Sequence, residues 1–204
     1  TGCGSDDVLD SAFRAFAQPG DRIAYPDPSF AMVPIFARLN GLEAVGVPLT
    51  PGLDPDPDAL LATGARIIYL CSPNNPTGAA ANRAAVERLL ARAPGVVILD
   101  EAYAEFMGRG WIADAPRAGN LVVARTMSKA FGLAGLRVGY AAGDPELVAA
   151  IEKSRGPYKV SAAAERAAIA ALDVDGDWVR ARVDEACVNR EAFRTALREM
   201  GLAP

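Results

Sequence analysis

Residues 121–137, Leu-Val-Val-Ala-Arg-Thr-Met-Ser-Lys-Ala-Phe-Gly-Leu-Ala-Gly-Leu-Arg, join an apolar run to a polar segment that contains two glycines. The apolar run predicts a buried strand. Beyond it, the hydroxyls of Thr126 and Ser128 can hydrogen-bond an anion, and Arg137 can bind a phosphate by two parallel hydrogen bonds. Lys129 then lies beside a phosphate with its amine free. Such an amine forms a Schiff base with an aldehyde when its surroundings favour the neutral form.

Composition limits the classes of function that remain. The chain has 204 residues, of which 51% are hydrophobic, and a net charge of -4, which suits one globular domain with its own core. A mildly acidic chain gives no reason to expect nucleic acid or an anionic membrane as a partner, and no apolar run is long enough to cross a bilayer. The 3 widely spaced cysteines predict reduced thiols in a cytoplasmic protein. Histidine is absent, which removes Ser-His-Asp and Cys-His catalysis and the ordinary zinc sites, so we predict no metal site.

Strand-like and helix-like patterns alternate along the chain. Apolar runs predict strands, and segments with helical spacing separate them. This alternation predicts a mostly parallel sheet that is covered by helices on both faces. The last predicted helix, 177–200, carries an apolar stripe from Val179 to Met200 that must pack on something.

Polar residues follow three of the predicted strands. Asn75 lies in a loop made rigid by two prolines and a glycine, Asp100 and Tyr103 follow the most hydrophobic strand, and Ser128 and Lys129 follow the strand described first. Because ligands of open parallel sheets bind beyond the carboxyl ends of the strands, these residues can face one crevice. We interpret Asp100 as a carboxylate that meets a cation there. The alternatives are that Asp100 and its neighbouring glutamate are solvated loop acids, and that the lysine is an ordinary surface residue.

Two weaker signals lie nearer the amino terminus. Gly4, Ser5 and Asp6 begin a predicted helix, and the free backbone N–H groups of a helix start suit a phosphate, although most such starts are only caps. Phe30 stands at the start of a second predicted helix, 29–39, beyond a strand end. Ordinary core packing is the alternative for this aromatic ring.

Three segments carry a resemblance to a known family. Ser-Pro-Asn-Asn-Pro-Thr-Gly at 72–78, Asp-Glu-Ala-Tyr at 100–103 and Thr-Met-Ser-Lys-Ala-Phe-Gly-Leu-Ala-Gly-Leu-Arg-Val-Gly at 126–139 resemble, in order and spacing, the fold-type I pyridoxal-phosphate (PLP) aminotransferases. The resemblance covers essentially the whole chain and is greatest to histidinol-phosphate aminotransferase. It implies a three-layer α/β/α sandwich with a mostly parallel mixed sheet, PLP as the cofactor, amino-acid and 2-oxo-acid substrates, and a homodimer.

The resemblance also implies a role for each residue of the crevice. Lys129 matches the lysine that carries PLP and later moves a proton, and Asp100 matches the carboxylate that pairs with the pyridinium nitrogen. Asn75 and Tyr103 match donors to the 3′-oxygen of the ring, and Phe30 matches the aromatic residue that stacks on the ring. The matches to the phosphate-binding groups are Thr126, Ser128, Arg137 and the backbone of Gly4, Ser5 and Asp6.

The same resemblance divides the chain. Residues 1–160 match the PLP-binding large domain, and residues 161–204 match helices that close it and lead toward a small domain. The family's arginine for the substrate carboxylate is expected beyond residue 204, and an N-terminal arm before residue 1. We therefore expect a piece of a larger protein that binds PLP but transfers amino groups poorly or not at all.

Other outcomes on the same fold stay open. One is another PLP enzyme, either an aromatic aminotransferase or a phosphothreonine-type decarboxylase. A second, from a different class, is a PLP-binding regulatory domain without catalysis. Likeness of fold does not choose among them.

Overall fold

A computed structural model of the chain describes residues 1–174 and 176–202, in which strands and helices alternate. The strands are β1 (Gly2–Cys3), β2 (Arg22–Asp27), β3 (Glu43–Pro48), β4 (Ile67–Cys71), β5 (Val96–Asp100), β6 (Leu121–Thr126) and β7 (Val138–Gly143). The helices are α1 (Gly4–Phe16), α2 (Val33–Leu39), α3 (Pro57–Ala62), α4 (Arg83–Arg92), α5 (Pro145–Ser154), α6 (Ala162–Val174) and α7 (Gly176–Glu199). Short 3-10 turns at Ala104–Phe106, Ala115–Arg117 and Ala134–Leu136 interrupt the loops around β6.

The strands form one mixed sheet in the order β1-β7-β6-β5-β4-β2-β3. Strands β2 to β6 pair in parallel, whereas β7 runs antiparallel to both β6 and β1. The carboxyl ends of β4, β5 and β6 therefore meet at one edge, as the sequence predicts. The short strand β1 was not predicted, because two residues show no periodicity.

Side chains on the two faces of the sheet build two separate cores. Ile67, Tyr69 and Cys71 of β4 belong to one core, and Ile68 and Leu70 belong to the other, as the alternation of side chains along a strand requires. Residues of α1, α2 and α5 complete the first core, and residues of α3 and α4 complete the second. This arrangement confirms the predicted three-layer α/β/α sandwich. Full burial of each large apolar side chain contributes about 1.5–3 kcal/mol.

Side-chain caps begin three of the helices. The side chain of Asp56 accepts hydrogen bonds from the backbone N–H groups of Asp58 and Ala59 at the start of α3. Asn82 and Asp144 cap α4 and α5 in the same way. A cap of this kind stabilises a helix by about 1 kcal/mol.

The helix predicted over 29–39 is shorter in the structure, where α2 begins at Val33. The Ser29 hydroxyl donates to Asn74 Oδ1 at 2.8 Å, which holds that part of the chain in a loop. Pro34 sits in the first turn of α2, where its missing N–H costs nothing. The prediction for 29–32 was therefore wrong, and Phe30 lies in the loop that precedes the helix.

The stripe predicted on the last helix is mostly exposed. Val179 of α7 is 7% exposed, whereas Phe193 is 65% and Met200 is 74% exposed. Within the described residues, the apolar face of α7 thus packs on the rest of the chain mainly near its amino-terminal end. Across residues 1–174 and 176–202, no helix has the length and apolar character that a bilayer-spanning segment needs.

Candidate functional site

A cavity of about 220 Å³ opens at the carboxyl ends of β4, β5 and β6. It is lined by ten of the residues that the sequence singled out, namely Ser5, Asp6, Phe30, Asn75, Asp100, Tyr103, Thr126, Ser128, Lys129 and Arg137. Cys71 and Ala102, which the sequence analysis did not assign, complete the wall. Gly4 directly precedes Ser5 and packs against Arg137.

The turn after β6 carries Lys129 into this cavity. The backbone N–H of Met127 donates to the Val138 carbonyl at 3.0 Å, and that of Gly132 donates to the Lys129 carbonyl at 2.9 Å. The first bond joins the turn to β7, and the second closes the turn itself. The backbone therefore sets the direction in which the lysine leaves the sheet. The Lys129 Nζ lies 5.3 Å from the centroid of the Tyr103 ring. The lysine is exposed, so its amine is open to a small molecule in the cavity.

Asp100, the last residue of β5, is 3% exposed. Its Oδ2 accepts a hydrogen bond from the Tyr69 hydroxyl at 2.9 Å, and its Oδ1 accepts one from the backbone N–H of Ala102 at 3.0 Å. Burial raises the pKa of Asp100 to about 6, although both hydrogen bonds and the charge of Lys129 act to lower it. The direct partners of this buried carboxylate are neutral donors. A cation in the cavity therefore gains by lying against it.

The raised pKa of Asp100 predicts how the stability of the ligand-free chain depends on pH. The folded chain binds this proton more tightly than the unfolded chain does, so the free energy of unfolding falls as the pH rises from about 4 to about 6. Above that pH the cost of the ionised carboxylate is constant at about 3 kcal/mol. We expect Asp100→Asn to be about as stable as the parent chain at pH 4 and about 3 kcal/mol more stable at pH 8.

The measurement is chemical denaturation of both chains at several pH values. The difference between the chains isolates Asp100, because all other titrating groups are shared. Asp58→Asn, at an exposed aspartate, is the matched control and is expected to show no such gain. A pH-independent difference between the Asp100→Asn and parent chains would contradict the prediction.

The cavity also offers donors for an anion. The Thr126 hydroxyl donates to Ser128 Oγ at 2.9 Å, and Arg137 Nη2 lies 3.4 Å from Asp6 Oδ2. Gly4 adopts a φ of +79°, and a Cβ on it would lie 2.5 Å from Arg137 Nη2. Only glycine therefore leaves room for the guanidinium beside the start of α1. Two hydroxyls, one guanidinium and a helix start suit a phosphate.

Glu101 points away from the cavity, on the other side of the strand from Asp100. Its Oε2 accepts hydrogen bonds from Arg125 Nε at 2.9 Å and Nη2 at 2.7 Å, and its Oε1 accepts one from the backbone N–H of Trp111. Glu101 is 0% exposed. The alternative of two solvated loop acids was therefore wrong. The sequence analysis gave Glu101 and Arg125 no partner, although an arginine inside an otherwise apolar strand was a signal for one.

The loop that contains Asn75 is held by its neighbour. Asn74 Nδ2 donates to the Pro28 carbonyl and to Thr77 Oγ1, both at 3.1 Å. With the bond from Ser29, these contacts join the loop after β4 to the loop that carries Phe30. No role was predicted for Asn74, because the rigidity of this loop was attributed to two prolines and a glycine.

A second, larger hollow of about 840 Å³ adjoins the first. Asn75, Tyr103, Ser128 and Lys129 line both spaces. The remaining walls of the larger hollow include Phe106 and Met107, as well as Arg190 of α7. The lysine amine is thus accessible from a small polar cavity and from a wider hollow with apolar walls.

An exposed amine, a buried carboxylate and donors for an anion lie around one cavity at the edge of an α/β sheet. These features fit a phosphorylated aldehyde with a basic ring nitrogen, and so define a cofactor-binding α/β domain. The family model of class I and II aminotransferases matches residues 1–204. The chain belongs to that family, which confirms the family predicted from the sequence, with PLP as its cofactor.

Two names occur among similar curated relatives. The aromatic amino acid aminotransferase of Streptomyces coelicolor is 40% identical over 210 residues, which cover 98% of this chain and 58% of the relative. The histidinol-phosphate aminotransferase of Roseiflexus castenholzii is 43% identical over 200 residues, which cover 96% of this chain and 53% of the relative. The chain therefore spans between half and two thirds of the length of these relatives.

Solved structures agree with this assignment. The histidinol-phosphate aminotransferase of Sinorhizobium meliloti, solved in complex with pyridoxal-5'-phosphate, matches with a TM-score of 0.88 and 30% identity over 100% of this chain and 57% of that chain. The N-succinyldiaminopimelate aminotransferase of Mycobacterium tuberculosis matches with a TM-score of 0.88 and 28% identity over 99% of this chain and 57% of that chain. The agreement extends to the whole sheet and its helices.

Proposed function

We propose that the chain binds PLP in the smaller cavity and that the protein transfers amino groups between amino acids and 2-oxo acids. The observation that carries this proposal is that Lys129, Asp100, the hydroxyls of Thr126 and Ser128, and Arg137 line one cavity. These groups suit a ring whose aldehyde, nitrogen and phosphate are held by different residues. Membership of the aminotransferase family supports the same reaction.

Bound PLP supplies a ring that withdraws electrons and so stabilises negative charge at the α-carbon of a substrate. Lys129 would hold the aldehyde of the cofactor through its amine, and the same amine would hold and move the substrate proton. Asp100 would pair with the ring nitrogen and favour its protonated form by its negative charge. Asn75 and Tyr103 would hold the 3′-oxygen, and Phe30 would pack on the ring.

The phosphate would be held by a second set of groups in the smaller cavity. Its binding groups are Thr126, Ser128, Arg137 and the backbone of Ser5 and Asp6. The N–H of Gly4 donates to the Arg137 carbonyl at 3.1 Å, so Gly4 contributes room for the guanidinium rather than a donor. A phosphate there displaces Asp6 as the partner of the guanidinium.

The substrate enters the larger hollow. Phe106 and Met107 on its wall favour a flat, apolar ring, and Arg190 at its rim favours an anion. Arg190 suits the phosphate of histidinol phosphate, which, with 2-oxoglutarate as the acceptor, is our first candidate. The aromatic amino acids are the second candidate, because they fit the apolar wall and give their name to relatives of equal similarity.

The domain division, the oligomeric state and the cellular location also belong to this proposal. Residues 1–160 form the PLP-binding domain, and residues 161–204 close it. We propose a homodimer, as the resemblance implies, and a cytoplasmic location, which the number and spacing of the cysteines favour.

A single-turnover assay tests the proposed function. The chain is loaded with PLP and mixed in turn with histidinol phosphate, phenylalanine and phosphothreonine, and the 2-oxo product or released CO₂ is measured. Single turnover is chosen because slow steady-state transfer is expected for residues 1–204. We expect histidinol phosphate to react at least about tenfold faster than phenylalanine, which corresponds to about 1.4 kcal/mol.

The outcomes separate the candidates. Faster reaction of phenylalanine would favour an aromatic aminotransferase, and release of CO₂ from phosphothreonine would favour a decarboxylase. Binding of PLP without reaction of any amine would favour the regulatory class. Pyridoxal, which lacks the phosphate, is the matched control ligand and is expected to bind at least about tenfold more weakly than PLP.

A further inference from the structure

Tyr69 lies in the middle of β4 and is 0% exposed. In the parallel pairing of β4 with β5, Tyr69 stands opposite Ile98, and Cys71 stands opposite Asp100. Tyr69 and Asp100 therefore point to the same face of the sheet, two residues apart along the strands. The phenol ring spans this separation, and its hydroxyl donates to Asp100 Oδ2 at 2.9 Å.

Burial of the Tyr69 hydroxyl costs free energy unless the hydroxyl makes a hydrogen bond, which a phenylalanine could not make. The ring packs in an apolar core with residues such as Phe13 and Ile98, and a phenylalanine would fill the same space. A buried hydroxyl without a partner costs about 1–3 kcal/mol. The bond to the carboxylate removes that cost and, because its acceptor is charged, is stronger than a neutral one.

The two hydrogen bonds to Asp100 fix both of its oxygens. The backbone N–H of Ala102 holds Oδ1, and the Tyr69 hydroxyl holds Oδ2. Rotation of the carboxylate about its terminal bond breaks both bonds, so the plane of the group is set. Each oxygen keeps a second lone pair, and Asp100 lines the cavity. One hydrogen bond from a ligand can therefore be accepted without loss of either fixed bond.

We propose that Tyr69 is a positioning residue for Asp100, whose hydroxyl sets the plane of the carboxylate and favours its ionised form. Tyr69 does not line the cavity, so it acts through Asp100 alone. The role toward a cofactor rests on the proposed function, whereas the effect on Asp100 does not.

Several groups besides Tyr69 influence the ionisation of Asp100. Burial raises its pKa, the hydrogen bonds of Tyr69 and Ala102 lower it, the charge of Asp6 on α1 raises it, and that of Lys129 lowers it. Cys71 of β4 also faces Asp100, and its own pKa is raised to about 12 by burial and by the carboxylate. Tyr69 can lose its hydroxyl with less change in shape than the loss of any of these other groups would cause. Tyr69→Phe is therefore the informative substitution.

The test is a ¹³C NMR titration of the Asp100 carboxyl in the ligand-free chain, with its signal assigned by Asp100→Asn. We expect a midpoint near 6 in the parent chain. In Tyr69→Phe the midpoint is expected to rise by about one pH unit, because a hydrogen bond to the ionised form is lost. Tyr25→Phe, which removes a half-buried hydroxyl from the neighbouring strand β2, is the matched control and is expected to leave the midpoint unchanged.

A second readout follows PLP itself. Tyr69→Phe is expected to weaken PLP binding several-fold in the parent background but not in Asp100→Asn, since the hydroxyl acts through the carboxylate. If Tyr69→Phe fails to fold, 3-fluorotyrosine replaces tyrosine throughout the chain. This analogue keeps the ring and strengthens the donor, so the Asp100 midpoint is expected to fall.

The two hypotheses fail in different ways. An Asp100 midpoint that is the same in the Tyr69→Phe and parent chains, or unmoved by fluorotyrosine, overturns the positioning role. If the midpoint moves but the parent chain does not retain PLP, the proposed function fails and the effect of Tyr69 on Asp100 stands.

Discussion

Replacing Lys129 by alanine is expected to abolish the imine absorbance of PLP bound to the chain and to let dialysis remove the cofactor. Lys129 is the lysine that lines the cavity, and its amine is the group that can join the aldehyde. Without it, PLP is held by hydrogen bonds and ionic contacts alone. Amino transfer in single turnover is expected to fall by roughly 10²–10⁴-fold or more, because both the covalent attachment and the proton carrier are lost.

Two matched variants separate this effect from a general disturbance. Lys153→Ala removes an exposed lysine from α5 and is expected to keep both the absorbance and the reaction. Asp100→Ala is expected to keep the absorbance but to lose most of the reaction, since the lysine is intact and the charge at the ring nitrogen is gone. An imine band that persists in Lys129→Ala and resists dialysis would show that another amine holds the cofactor.

Replacing Glu101 by alanine is expected to destabilise the fold by about 3–5 kcal/mol. The carboxylate is fully buried and accepts hydrogen bonds from Arg125 and from the backbone of Trp111. Its charge and hydrogen bonds hold the pKa of Arg125 above the ordinary value, even though burial acts to lower it. Removing Glu101 leaves a largely buried guanidinium that has, among the described residues, Glu105 at 3.6 Å as its remaining acidic partner. The loss is large compared with the 5–15 kcal/mol by which folded domains are stable.

Chemical denaturation of Glu101→Ala and Glu43→Ala measures the contrast. Glu43 also pairs with an arginine, Arg22, on a neighbouring strand, but both side chains are more than half exposed, so its removal is expected to cost no more than about 1 kcal/mol. The double variant Glu101→Gln/Arg125→Met, which removes both charges of the buried pair, is expected to recover part of the loss. Equal costs for the two alanine variants would contradict the prediction.

The sequence predicts the parts of this molecule that follow from local pattern. The positions of Asp100 and Lys129 beside one cavity follow from strand periodicity and from the rule that parallel strands end at one edge. Helix starts at Asp56, Asn82 and Asp144 follow from the hydrogen-bonding capacity of their side chains. These features depend on neighbours in the chain or on a general rule of topology.

Other features depend on contacts between distant segments, and pattern alone does not reveal them. Tyr69 reads as one more apolar residue of a strand, and its hydroxyl acquires meaning only from a carboxylate 31 positions away. Arg125 and Glu101 lie 24 positions apart, so neither one predicts the other. Phe30 falls outside α2 because Ser29 bonds to Asn74, which is 45 positions distant. The choice of substrate between histidinol phosphate and an aromatic amino acid depends on such contacts as well, so local sequence pattern does not predict it.

The burial of Asp100 also has a consequence for the lifetime of the protein in a cell. A negative charge in the core lowers the resistance of the freshly folded chain to degradation, and a bound partner that neutralises this charge restores it by mass action. Protein made in excess of PLP, which derives from vitamin B6, would then be degraded first. The abundance of the protein would follow the supply of that vitamin without any change in the rate of synthesis.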